Sequence, residues 1–182
     1  MGDKSKLEEK VMEGILGPRE LKKEEKNRFL GEYKERVIKY LTIDQVEEPA
    51  IYPEIIKAVK HPDADRMVVR RSVGLESARK YIDMAREQGL LFKRVDSPEL
   101  KGDVALVVAS DGAVEVKNRK VLDREKRLKQ KGVSGKIIKN VGARLCPECW
   151  SELEEKAPEE LINYDKYGLL DRLLGTECVC HK

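Results

Sequence analysis

The sequence predicts an α/β fold in which helices pack on a small central sheet. Three observations carry this. Val104–Ala109 reads Val-Ala-Leu-Val-Val-Ala, the continuous apolar run of a strand buried on both faces. Elsewhere apolar residues recur at three- and four-residue spacing, the mark of helices with one buried face. The order of these segments is helices, then strand, helix, strand and strand, as expected when helices cover a sheet.

The elements follow in order. Residues 1–25 are highly charged and broken by Gly17-Pro18, which reads as a short helix and a loose arm. Phe29, Leu30, Tyr33, Val37, Ile38 and Leu41 have helical spacing and predict one amphipathic helix. Residues 43–50 read as a connector. Pro53 suits the first turn of a second helix containing Ile55, Ile56 and Val59, which His61-Pro62-Asp63 closes. Arg66 to Val73 predicts a short strand. Ala78, Tyr81, Ile82 and Ala85 mark a helix ending at Gly89. Leu90 to Val95 predicts the next strand, a turn follows at Asp96-Ser97-Pro98, and Val104–Ala109 is the buried one. Val114 and Val116 suit a further short strand or turn. Residues 121–131 predict a basic helix, since Lys and Arg are good helix formers. Lys136 to Leu145 reads as a strand. Glu152 to Leu174, interrupted at Pro158, predicts a helix running back toward the last cysteines.

Charge divides the chain. Its 182 residues suit one ordinary domain with a small appendage. Charged residues make up 39%, against about a quarter in an average protein. No run of eighteen apolar residues is present, which excludes a membrane-spanning helix. The first ten residues lack the apolar stretch of a secretory signal, so a cytoplasmic protein is expected. Residues 1–116 carry a net charge of −1, residues 117–144 carry +9, and residues 145–182 carry −5. The expected organisation is therefore a charged arm (1–25), an α/β core (26–116), a basic linker or helix (117–144) and a cysteine-bearing tail (145–182). A basic block can bind phosphates by releasing counterions. Its candidate contacts are Lys117, Arg119, Lys120, Arg124, Lys126, Arg127, Lys129 and Lys131. It can equally pair with the acidic tail that follows it.

All four cysteines lie in that tail, as Cys146-Pro-Glu-Cys149 and, after 28 intervening residues, Cys178-Val-Cys180-His181. Two clustered thiol pairs without a secretory signal favour a metal over disulfides. Zinc takes four thiolate or imidazole ligands in a tetrahedron. The two-residue spacer lets Cys146 and Cys149 turn toward one ion. Cys178 and Cys180 have a one-residue spacer, and in a straight strand such residues stand about 7 Å apart, so the chain must bend there. The ligand set is either Cys146, Cys149, Cys178 and Cys180, or one in which His181 replaces one of the last two thiols. Four closed ligands point to a structural ion. Trp150 suits packing against this small site.

Catalytic patterns are absent: the sequence has no phosphate-binding glycine loop, no GxSxG and no HExxH. His61 suits a cap or the surface, and Asp63 and Asp65 suit a turn. Ser110 and Asp111 end the buried strand, a position where α/β sheets often bind ligands, although Asp111-Gly112 is also good turn chemistry.

Several short motifs agree in order and spacing with a known family. These are Leu30-Gly31-Glu-Tyr-Lys-Glu35-Arg36-Val37, Ile51-Tyr52-Pro-Glu54 with Ala58, the unit bearing Tyr81, Ala85 and Gly89, and Val107-Val108-Ala109-Ser110-Asp111-Gly112-Ala113-Val114. On these, residues 12–120 resemble the YueI-like family of uncharacterised bacterial proteins. The resemblance implies a three-layer α/β/α sandwich similar to kink-turn-binding ribosomal proteins and chorismate-mutase-like folds, and it brings no activity or site residues. The cysteine-bearing tail departs from the simpler pattern of the family. The expected function is a non-enzymatic binding protein with a structural zinc site, its partner RNA, a ribonucleoprotein or an acidic protein surface. A protein-interaction module stapled by zinc is the alternative, and a small-molecule enzyme at the sheet edge the third reading. The N-terminal arm also permits a homo-oligomer.

Overall fold

Six consecutive buried residues, Val104–Ala109, form the strand around which the sheet is built. The computed structural model describes residues 19–168 and Cys178. In chain order the first part holds α1 (Arg19–Arg28), β1 (Val37–Thr42), α2 (Ile43–Glu47), α3 (Pro53–Val59), β2 (Arg66–Arg70), α4 (Leu75–Glu87), β3 (Leu91–Val95) and β4 (Val104–Ala109). The sheet order is β1-β4-β2-β3. β4 is antiparallel to both neighbours, with Val107 opposite Tyr40 on one side and Val68 on the other. β2 and β3 are parallel and joined through α4, the connection that parallel neighbours require. The fold is thus mixed α/β on a small mixed sheet.

Both faces of the sheet are covered. Ile38, Leu41, Met67, Val69, Leu106 and Val108 share a core with Val46, Ile55, Ala58, Tyr81, Ile82 and Ala85 from α2, α3 and α4. Val37, Val68, Val104, Val107 and Ala109 face the other way, against Phe29, Leu30 and Leu100. A fully buried Leu or Val is worth about 1.5–3 kcal/mol in transfer free energy, so β4 contributes to two cores at once.

The helix expected across Phe29–Leu41 does not form. α1 stops at Arg28, where Leu30 (φ 59°) and Gly31 (φ 95°) take left-handed backbone and the Gly31 N–H closes onto the Lys26 carbonyl at 2.7 Å. Leucine in that conformation costs about 1–2 kcal/mol, offset by burying its side chain. Val37 and Ile38 then enter β1, as β-branched residues favour. The register shift between Val37 and Lys39 puts Val37 and Tyr40 against one core and Ile38 and Leu41 in the other, and this three-residue repeat imitates helical spacing. The expected connector at 43–50 contains α2, started by a reciprocal Thr42–Gln45 capping box. α3, α4, β3 and β4 form as expected, α4 ending at Gly89 with φ 72°.

Downstream lie α5 (Arg124–Gln130), α6 (Gly135–Lys139), β5 (Arg144–Leu145), α7 (Pro147–Lys156), a 3-10 turn (Pro158–Asn163) and β6 (Asp165–Lys166). The strand expected at Lys136–Leu145 forms only at its end, as β5; Lys136–Lys139 belong to α6, which turns Ile137 and Ile138 into a second core with Leu128, Leu145, Leu153 and Tyr164. The helix expected from Glu152 begins earlier, at Pro147, and ends before Pro158. Its expected continuation through Leu169–Leu174, like the arm before residue 19, lies outside the described residues.

A buried charge network joins this module to the body. Glu160 is fully buried and Arg124 is 3% exposed. Arg124 Nε donates to Glu160 Oε2 at 2.8 Å, and its other nitrogens donate to the Tyr164 hydroxyl (2.8 Å) and the Ile138 carbonyl (3.0 Å). Arg127 binds the second Glu160 oxygen, Glu159 at 3.1 Å and Glu54 on α3 at 3.2 Å. Asn163 exchanges two hydrogen bonds with the backbone of Ile51, at 2.6 and 2.9 Å.

Removing one partner of such a pair leaves a buried charge unpaired. Glu160→Ala should therefore destabilise the chain by about 3–5 kcal/mol, seen as a lower denaturant midpoint; a loss within the ~1 kcal/mol of surface pairs would contradict the network. Burial works against ionisation of Glu159, but Lys131 and Arg127 hold its carboxyl below the usual range. A depressed carboxylate stabilises the fold above its unfolded value of about 4.3 and loses that contribution as pH falls through the folded value. Glu159→Gln should flatten the acid limb of the stability–pH curve below about pH 4; an unchanged acid limb would contradict the assignment.

Candidate metal centre

The Cys146–Cys149 turn is built by the start of α7. Cys146 is the residue before the helix, in extended backbone (φ −64°, ψ 166°), and Pro147 occupies the first turn, where its missing N–H costs nothing. The Trp150 N–H closes onto the Cys146 carbonyl at 2.9 Å, so Cys149 comes round one helical turn to the side of Cys146.

Cys178 completes the cluster. The sulfur atoms of Cys146, Cys149 and Cys178 all lie within 4.8 Å of one another, and all three residues are buried. The Cys149 and Cys178 sulfurs are 3.8 Å apart, far beyond the ~2.05 Å of a disulfide bond. A tetrahedral zinc with ~2.3 Å bonds sets its sulfurs about 3.8 Å apart, so this spacing fits zinc. The Cys146 backbone N–H donates to the Cys178 sulfur at 3.3 Å, the hydrogen bond that stabilises a thiolate. Cys180 and His181, the other expected ligands, lie outside the described residues. Trp150 packs against this core, with Lys166 Nζ 5.3 Å above its ring. The arrangement can hold one metal ion through buried thiolates.

The other sequence-predicted residues fall elsewhere. Arg124 and Arg127, expected among the nucleic-acid contacts, are buried instead, because Glu160, Glu159 and Glu54 neutralise them inside the protein. Lys131 also pairs with Glu159, and Lys129 with Glu125 on its own helix. Arg119 turns its fork to the Val114 and Val116 carbonyls. Lys117, Lys120 and Lys126 are exposed. Ser110 is buried, its hydroxyl donating to the Gly112 carbonyl. Asp111 is exposed and accepts from Arg66 at 3.1 Å. Both serve the turn at the end of β4, and Arg66 is shared with Asp65 at 2.6 Å. His61 accepts the Asp63 N–H at 3.2 Å, an ordinary turn. Among the described residues no helix is long and apolar enough to cross a membrane.

Comparison with known proteins places the body. The chain is 31% identical over 109 residues to the uncharacterized protein YueI of Bacillus subtilis (strain 168), spanning 60% of this chain and 83% of that protein. The crystal structure of the Bacillus subtilis YueI protein is similar, with a TM-score of 0.54 and 29% identity, covering 65% of this chain and 93% of that one. Residues 4–120 match the family described as protein of unknown function (DUF1694). That match contains the sheet and stops before α5 and the cysteines. On it, the chain belongs to the DUF1694 family, with the thiol cluster in the segment beyond the matched residues.

Proposed function

We propose that the chain is a non-enzymatic binding protein whose YueI-like α/β body carries a C-terminal module closed by one structural zinc ion. The convergence of three buried thiols, from residues up to 32 positions apart, supports this most directly. Cys146, Cys149 and Cys178 would hold the ion, with Cys180 or His181 as the fourth ligand. The ion would tie residue 178 to the start of α7 and supply folding energy to a small module. Of the eight candidate cations, Lys117, Lys120 and Lys126 are exposed and outside the ion pairs described above, and they suit an acidic protein partner.

Purified from cells without added metal or chelator, the full chain should carry about one zinc. Cys146→Ser and Cys149→Ser should each remove it, with secondary structure of the body retained in circular dichroism. A metal-free protein with reactive thiols would overturn the proposal.

RNA binding is the second reading, supported by the same three lysines. With three phosphate contacts, affinity for single-stranded RNA should fall with a log–log salt slope of about −2. If all eight candidate cations bound phosphates, the slope would be about −6. Binding an unstructured RNA oligomer between low and moderate salt separates the two. Weak binding with the shallow slope is expected; tight binding with the steep slope would restore the nucleic-acid interface.

A further inference from the structure

A cavity of about 800 Å³ lies between α1 and the outer edge of β1, in the family-matched body and apart from the cysteines. Arg28 and Lys34 border it from the first segment, and Arg119 and Lys120 from the segment that follows β4. Backbone bonds set that second segment: the Tyr40 N–H donates to the Arg119 carbonyl at 3.0 Å, and the Val121 N–H to the Tyr40 carbonyl at 3.3 Å. Phe29 and Tyr40 also line the cavity, their rings edge to face at 5.4 Å.

Its charges are unbalanced. Five cations and three carboxylates border it. Lys101 is offset by Glu24 at 3.4 Å, and Glu25 accepts the Lys34 backbone N–H at 3.2 Å. Among the described residues, Arg28, Lys34 and Lys120 have no ion-pair partner. The Arg119 guanidinium is anchored to two carbonyls, while its buried Nε has no acceptor among the described residues. Arg66, Arg124 and Arg127 are matched to carboxylates, whereas Arg70 and Arg94, like Arg119, donate to backbone carbonyls. A cleft of this size that leaves cations unmatched beside aromatic rings suits an anionic ligand with a flat body.

We propose that this cavity binds a phosphorylated small molecule of mononucleotide class, its phosphate held by Arg28, Lys34 and Lys120 and its ring against Tyr40. The site is independent of the zinc reading. The test is calorimetric titration of the full chain with adenosine 5′-monophosphate, using adenosine and inorganic phosphate as comparisons. The expected result is saturable nucleotide binding, competition by inorganic phosphate, and no binding of adenosine. Lys34 and Lys120 are exposed, so the double variant Lys34→Gln/Lys120→Gln should fold normally and weaken binding at least about tenfold. Absence of saturable nucleotide binding at about 10 mM would overturn the proposal. So would nucleotide binding that the double variant leaves unchanged, or binding of an RNA homopolymer without binding of the nucleotide.

Discussion

The ion pair between Arg124 and Glu160 is the interaction on which the arrangement of the two parts depends. Burying two charges is costly, and their attraction offsets the cost only when the remaining donors and acceptors are satisfied. Here they are. One Glu160 oxygen takes Arg124 and Asn163, and the other takes Arg127. Arg124 spends its remaining donors on Tyr164 and Ile138. Shifting the Pro158–Asn163 turn by one residue would strand two guanidinium groups in the interior. The network therefore specifies one register more than it adds net stability.

That network also changes what the basic block means. The strongly positive segment is followed at once by an acidic one, and the fold brings the two together. Arg127 touches Glu54 on α3 as well as the tail, while Tyr52 receives the Arg124 N–H at 3.4 Å and hydrogen-bonds Glu48. Body, basic helix and acidic turn are one connected polar structure. Arg124 and Arg127 are buried against carboxylates, and Lys129 and Lys131 are paired with carboxylates too, so charge counted along the sequence overstates the charge presented to a partner.

How much was legible depends on what each signal encodes. β4 was readable because burial on both faces leaves an uninterrupted apolar run. α4 was readable because one face is buried and a glycine stops it. β1 was not, because the bulge at Ile38 puts Val37 and Tyr40 on one face and Ile38 and Leu41 on the other, a three-residue repeat in place of the two-residue alternation. The Thr42–Gln45 box that starts α2 is visible in the sequence as Thr-x-x-Gln, although residues 43–50 otherwise read as a connector. In the second core, Ile137 and Ile138 read as strand because adjacent β-branched residues usually do, yet five helical residues suffice to bury both. The spacing of Cys146 and Cys149 announced a shared site. Which basic residues would pair inward could not be seen, since that depends on Glu54 and Glu160 arriving from distant positions. The cavity beside α1 was equally invisible, being lined by segments about ninety residues apart.

The central claim is that a metal ion on Cys146, Cys149 and Cys178 holds the second core together while the sheet stands without it. Hydrogen exchange read by mass spectrometry, on the full chain with and without a zinc-removing chelator, tests this most directly. The account predicts that amides of α5, α6 and α7 lose protection on chelation while those of β1, β2 and β4 keep it. Protection unchanged across both parts, or lost equally from β4, would contradict it.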